Sequence, residues 1–172
     1  MSVVIGKVTK DKVIMASDSQ QTNGYSKDHA VSSQKVTRIG STIFGGVGLS
    51  EENELLAMYL TNKKFPKGIG ELILYISEFY KWRDNVNPKI QPKEDGDISS
   101  AQFLIADYGN LYYINDTFID TIKVGCYTTI GQGAEYAIGA LDAGAGIRKA
   151  VEIACKNCIS CGMPIVYMEN KR

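Results

Sequence analysis

Neither sign of charge prevails in this sequence, where nineteen Lys and Arg residues meet nineteen Asp and Glu. A balanced chain builds no long-range field toward polyanions. Its basic residues are also scattered rather than interleaved with aromatics, so nucleic acid is not an expected partner. No run of about 18 apolar residues is present to span a bilayer, which sets a membrane partner aside. A leading apolar stretch of signal-peptide kind is missing too, because Lys7, Lys10, Asp11 and Lys12 interrupt it. The expected setting is therefore soluble and cytoplasmic. Histidine occurs once, at His29, far in sequence from the cysteines beside which a fourth metal ligand would be needed.

What remains is the make-up of an ordinary globular protein: 172 residues, 44% hydrophobic and 22% charged. That length predicts one domain over residues 1–172, able to bury roughly 70% of its unfolded surface. The four cysteines form one cluster and one outlier. Cys155, Cys158 and Cys161 make a C-x2-C-x2-C run in ACKNCISCG, with Cys126 upstream. The spacing is that of thiolate ligation, but a fourth nearby ligand is absent. Ile147, Val151, Ala154 and Cys158 share one helical face, and free cysteine packs as a small hydrophobe. Core packing, a metal or cluster site, and a redox disulfide all stay open on these residues.

The apolar runs VVIGKV and KVIMAS, split by T-K-D-K, read as a hairpin, and KVTRIG with STIFGGVG as a second strand pair. Ser50 is placed to N-cap a helix over EENELLAMYL. Ile69, Leu72, Ile73, Ile76 and Tyr80 set a second helix ending near Trp82, followed by a polar surface connection, RDNVNPKIQPKEDGD. QFLIADY and LYYIN flank a Gly109-Asn110 turn. FIDTIK and CYTTIG supply two more strands, EYAIGALDAG and GIRKAVEIACKNC two more helices, and PIVYMEN a last strand. Adjacent strands on short turns imply antiparallel sheets, and paired helices must cover the outer faces. The expected fold is α+β, a four-layer αββα sandwich of two antiparallel sheets.

Val3, Val4, Ile5 and Val8 enter that fold at once, which fixes Ser2 at a defined point. Over nearly the whole chain, and most weakly through residues 60–100, the sequence resembles the proteasome β subunits and their bacterial relative HslV, which are N-terminal-nucleophile hydrolases. The stretches carrying the resemblance are VVIGKVTKDKVIMASDSQ, QKVTRIGSTIFGGVG, IGQGAEYAIGAL and AVEIACKNCIS, in that order. It implies Ser2 as the nucleophile, freed by removal of Met1, with Asp18 and Lys35 as a tuning pair and the Gly45 amide as oxyanion donor. It implies protein or peptide substrates, no cofactor, stacked homo-oligomeric rings and an unfoldase ATPase of the AAA+ kind as partner.

Residue chemistry fits those roles. A hydroxyl needs a base, and a terminal amine of ordinary pKa about 7.7–8.0 can take its proton near working pH. A Lys ammonium beside that amine disfavours its charged form, and an Asp holds the Lys in place. A backbone N–H on the developing oxyanion is worth about 3–4 kcal/mol. Taken singly, each residue has a plainer reading: Asp18 as a turn former, Lys35 as a solvated strand charge, Gly45 and Gly46 as a bulge. Two features, GQG at 131–133 and a retained Met1, weigh toward a second function, a catalytically silent ring-forming protein. GQG stands at 131–133 where the family carries G-S-G, and Cys158 and Cys161 stand where proteasome β subunits carry Asp and Ser. A retained Met1 would also leave a peptide nitrogen where the base is needed.

Overall fold

The computed structural model describes residues 2–23, 26–28, 34–88, 101–115 and 118–172; Met1, His29 and most of the polar connection at 83–97 lie outside them. Strands β1 (Val4–Val8) and β2 (Lys12–Ser17) form the expected hairpin. Its turn is closed by Thr9, whose amide and hydroxyl both donate to the Lys12 carbonyl. A short hairpin of β3 (Gln21–Asn23) and β4 (Ser26–Asp28) follows. Next come β5 (Val36–Ile39) and β6 (Thr42–Val47), then helices α1 (Ser50–Asn62) and α2 (Ile69–Val86). The second half holds β7 (Gln102–Asp107), β8 (Asn110–Asn115), β9 (Phe118–Thr121) and β10 (Tyr127–Ile130). Helices α3 (Ala134–Asp142) and α4 (Ile147–Asn157) and strand β11 (Val166–Lys171) complete it.

Two antiparallel sheets result, one in the order β10-β1-β2-β11 and one in the order β5-β6-β7-β8-β9. Side-chain alternation along the strands sorts the apolar residues into three layers. Val4, Val8, Val13, Met15, Ile43, Leu104 and Leu111 meet between the sheets. Ile5, Ile14 and Ala16 point the other way, onto Ala137, Ala150, Val151 and Ala154 of α3 and α4. On the far side Phe44, Phe103, Ile105 and Tyr112 pack against Leu56, Tyr59, Leu72 and Phe79 of α1 and α2. The expected αββα sandwich is the observed one. No helix among the described residues is long and apolar enough to cross a membrane.

Local expectations fare unevenly. Ser50 does not cap α1; it is the first helical residue, Leu49 holds the N-cap position, and the Ser50 hydroxyl donates to Glu51 instead. Helix α2 does not stop near Trp82 but runs to Val86. The cause is tertiary, since Arg83 in its last turn is buried and pairs with Glu52 of α1 and with Asp84. The β3–β4 pairing was not expected from its polar sequence. Of the cysteine run, Cys158 caps the C-terminus of α4, Cys161 is wholly buried in the layer under α3 and α4, and Cys155 and Cys158 pack half-buried against that layer. Burial pushes the Cys161 thiol well above its ordinary range. Among the described residues no group of three or more His, Cys, Asp or Glu is arranged to hold a metal ion.

Candidate active site

The smaller sheet brings four strand ends together at one edge of the sandwich. Val4 of β1 lies opposite both Ile130 of β10 and Ser17 of β2, and Ser17 lies opposite Val166 of β11. Everything flanking those residues in sequence is thereby gathered there: Ser2 and Val3 before β1, Asp18 after β2, residues 131–133 after β10, and Gly162 before β11.

Asp18 is the hub. Its carboxylate is fully buried and accepts four hydrogen bonds. Oδ1 takes the Val3 N–H at 2.9 Å. Oδ2 takes the Lys35 ammonium at 2.8 Å, the Gln20 N–H at 3.0 Å and the Gly162 N–H at 3.1 Å. Bonds of this charge-assisted kind are about twice as strong as neutral ones, and four donors account for nearly all the acceptor capacity of a carboxylate. Lys35 is itself nearly enclosed, its side chain 9% exposed. A second of its three N–H donors goes to the Gln20 carbonyl. The contact between Asp18 and Lys35 that the family resemblance implies is thus present, and Asp18 also binds the residue that follows Ser2.

Ser2 is 4% exposed and its backbone is clamped on two sides. Its carbonyl accepts from the Gly133 N–H at 3.1 Å, while Val3 exchanges backbone and side-chain bonds with Asp18. The GQG turn makes the first clamp possible. Gly131 has φ +93°, and a Cβ there would lie 2.2 Å from the Ser2 carbonyl oxygen. Between the two glycines, Gln132 accepts a hydrogen bond from the buried Ser160 hydroxyl at 2.6 Å. The position at which the resemblance implies a serine therefore holds Gln132, bonded to the Ser160 hydroxyl from the turn after α4. The turn at 158–162 contributes the Ser160 hydroxyl to Gln132, the Gly162 amide to Asp18, and the Ile159 carbonyl, which accepts from the Gln20 side chain.

The Gly45-Gly46 pair lies on β6 beside the start of β5. The register of β5 and β6 sets Val36 opposite Gly45, and the Gly46 N–H donates to the Lys35 carbonyl at 3.1 Å. Amides alternate in direction along an antiparallel strand, so the Gly45 N–H turns toward its other partner, Leu104 of β7. The amide beside Lys35 is that of Gly46.

No known family profile matches the chain, and no curated protein sequence matches it. Solved structures do. The BPH protein of Thiobacillus denitrificans superposes with a TM-score of 0.80 at 18% identity, covering 98% of this chain and 97% of that one. The same protein in complex with epoxomicin gives 0.79 at 18% identity, with 98% of both chains covered. Eukaryotic HslV from Trypanosoma brucei gives 0.68 at 19% identity, with 99% of both chains covered. At such identities the likeness is one of fold: the chain has the fold of the HslV-like and proteasome-like peptidases.

Proposed function

We propose that this protein is an endopeptidase in which Ser2, once freed of everything N-terminal to it, is the nucleophile. The observation that carries the reading is the Asp18 carboxylate, which binds at once the residue after Ser2 and the Lys35 ammonium. In this scheme the Ser2 amine takes the proton from Oγ, and Oγ attacks the scissile carbonyl carbon. Lys35, held by Asp18, favours the neutral, proton-accepting amine. The negative oxygen of the tetrahedral intermediate falls to an amide of the Gly45-Gly46 pair. The C–N bond then breaks, the leaving amine takes the proton, and water hydrolyses the Ser2 ester. No cofactor enters the scheme.

Fold likeness to HslV supports a homo-oligomer of stacked rings in the cytoplasm, acting on protein substrates with an AAA+ unfoldase as feeder. The decisive comparison is wild type against Ser2→Ala in peptide hydrolysis, with intact mass read after exposure to an electrophilic peptide. Loss of activity in Ser2→Ala, together with capture of a chain that begins at Ser2, is expected. Equal activity in the two proteins would remove Ser2 from the reaction. The second reading, a catalytically silent ring-forming protein, is favoured by one observation: Gln132 and Ser160 engage each other where a serine hydroxyl was expected. An unreactive chain still carrying Met1 would establish it.

A further inference from the structure

At the end of the smaller sheet away from Ser2, a cavity of about 500 Å³ lies between the β1–β2 hairpin, β11 and the first turn of α4. That volume falls within the roughly 300–1,000 Å³ typical of small-ligand sites. Its apolar wall is built from Ile14, Ile147 and the Tyr167 ring. Lys7 belongs to the same layer, since it lies opposite Ile14 in the hairpin and two residues from Ile5, both of which face the helices. Arg148 stands over the Tyr167 ring, 4.3 Å from its centroid.

Two cations apart, the polar side chains here are already engaged. The Thr9 hydroxyl is bonded to Lys12 and the Tyr167 hydroxyl to Glu169. Glu169 is itself held by Lys12 at 2.6 Å, and Lys149 by Glu152 at 2.9 Å. Among the described residues neither Lys7 nor Arg148 pairs with a carboxylate, and no Asp or Glu lines the cavity. Stacking uses the face of the Arg148 guanidinium and leaves its in-plane N–H donors for a pair of oxygens. We infer that this cavity is a separate ligand site, taking a small molecule that joins an oxyanion, carboxylate or phosphate, to an apolar body. Lys7 and Arg148 hold the oxyanion, and Ile14 and Ile147 cover the body. A cationic ligand would meet two like charges with no carboxylate to offset them, and a neutral one would leave both cations without a partner. Lys7 is five residues from Ser2 along the chain, roughly 16 Å at strand spacing. The ligand therefore does not compete with substrate, and the inference is independent of the peptidase reading.

Calorimetry on the wild-type protein with phenylpropionate, phenyl phosphate, phenylpropanamide and acetate tests it. At least one of the two aryl anions should bind about tenfold or more tighter than the amide and than acetate, the scale of one charge-assisted hydrogen bond. The tighter of the two names the head group. Lys7→Met combined with Arg148→Met should erase that margin, while Arg148→Lys alone should keep part of it. Neither side chain belongs to the core, so circular dichroism of the double variant should match wild type. If that variant fails to fold, added salt serves instead, and should weaken the anions but not the amide. Peptide hydrolysis by the double variant should equal that of wild type. An amide bound as tightly as the anions, a margin that survives the double variant or added salt, no binding of either anion, or hydrolysis lost with the two cations overturns the inference. Anion binding by a wild-type protein that hydrolyses no peptide would instead overturn the peptidase reading and leave this site standing.

Discussion

At the scale of single residues, the carboxylate of Asp18 decides whether the site exists. Its donors come from four separate segments: before β1, after β2, before β5 and before β11. The two members of its ion pair differ in what their loss would leave behind. Lys35→Met removes the ammonium yet leaves the carboxylate its three backbone N–H donors. Asp18→Asn leaves a nearly enclosed ammonium with the Gln20 carbonyl as its remaining acceptor here, and turns an NH2 toward N–H groups. Breaking a buried pair in that way costs about 3–5 kcal/mol, a fall of roughly 10 °C in melting temperature for a chain of this size. Thermal denaturation should therefore show Asp18→Asn as clearly the less stable variant, with both losing peptidase activity. Equal melting temperatures would overturn the carboxylate as the organiser of the site.

At the scale of elements, legibility follows the range of the interaction. The β1–β2, β5–β6 and β7–β8 hairpins and the two helix pairs follow from local periodicity, while the Ser2, Asp18 and Lys35 set follows from the family resemblance carried onto these positions. Three features do not. The last turn of α2 depends on Arg83 finding Glu52, thirty-one residues away. Which glycine of the Gly45-Gly46 pair has its amide on the Lys35 carbonyl depends on register between two strands. Ser160 joins Gln132 across twenty-eight residues, through a turn after α4 that no periodicity marks. Helix α4 also separates the cysteine readings. Cys161 is sealed beneath it with a thiol pushed up by burial, whereas Cys126 is exposed. Since the thiolate is the reactive form, alkylation of native protein at pH 8 should label Cys126 first and Cys161 only on unfolding, read by peptide mass. Prompt labelling of Cys161 would show that the run after α4 is open to chemistry rather than packed.

At the scale of the whole molecule, the outer face of α2 raises the question of assembly. Leu74 is 67% exposed and Ile73 52%, on a helix whose opposite face, with Leu72, Ile76 and Phe79, is fully engaged with the larger sheet. Single exposed apolar residues are ordinary, but adjacent ones on a chain with no net charge oppose association only weakly. The ring reading gives this face a second copy as its cover. Sedimentation of the purified protein should then report a mass several times 18.9 kDa, little changed by salt because the contact is apolar. Introducing like charges by Ile73→Lys and Leu74→Lys should lower that mass while the fold, followed by circular dichroism, is kept, since neither residue is part of the core. A folded wild-type protein that sediments as a single chain would leave α2 uncovered and remove the ring from the proposed function, while the chemistry at Ser2 would still be decided by hydrolysis and intact mass.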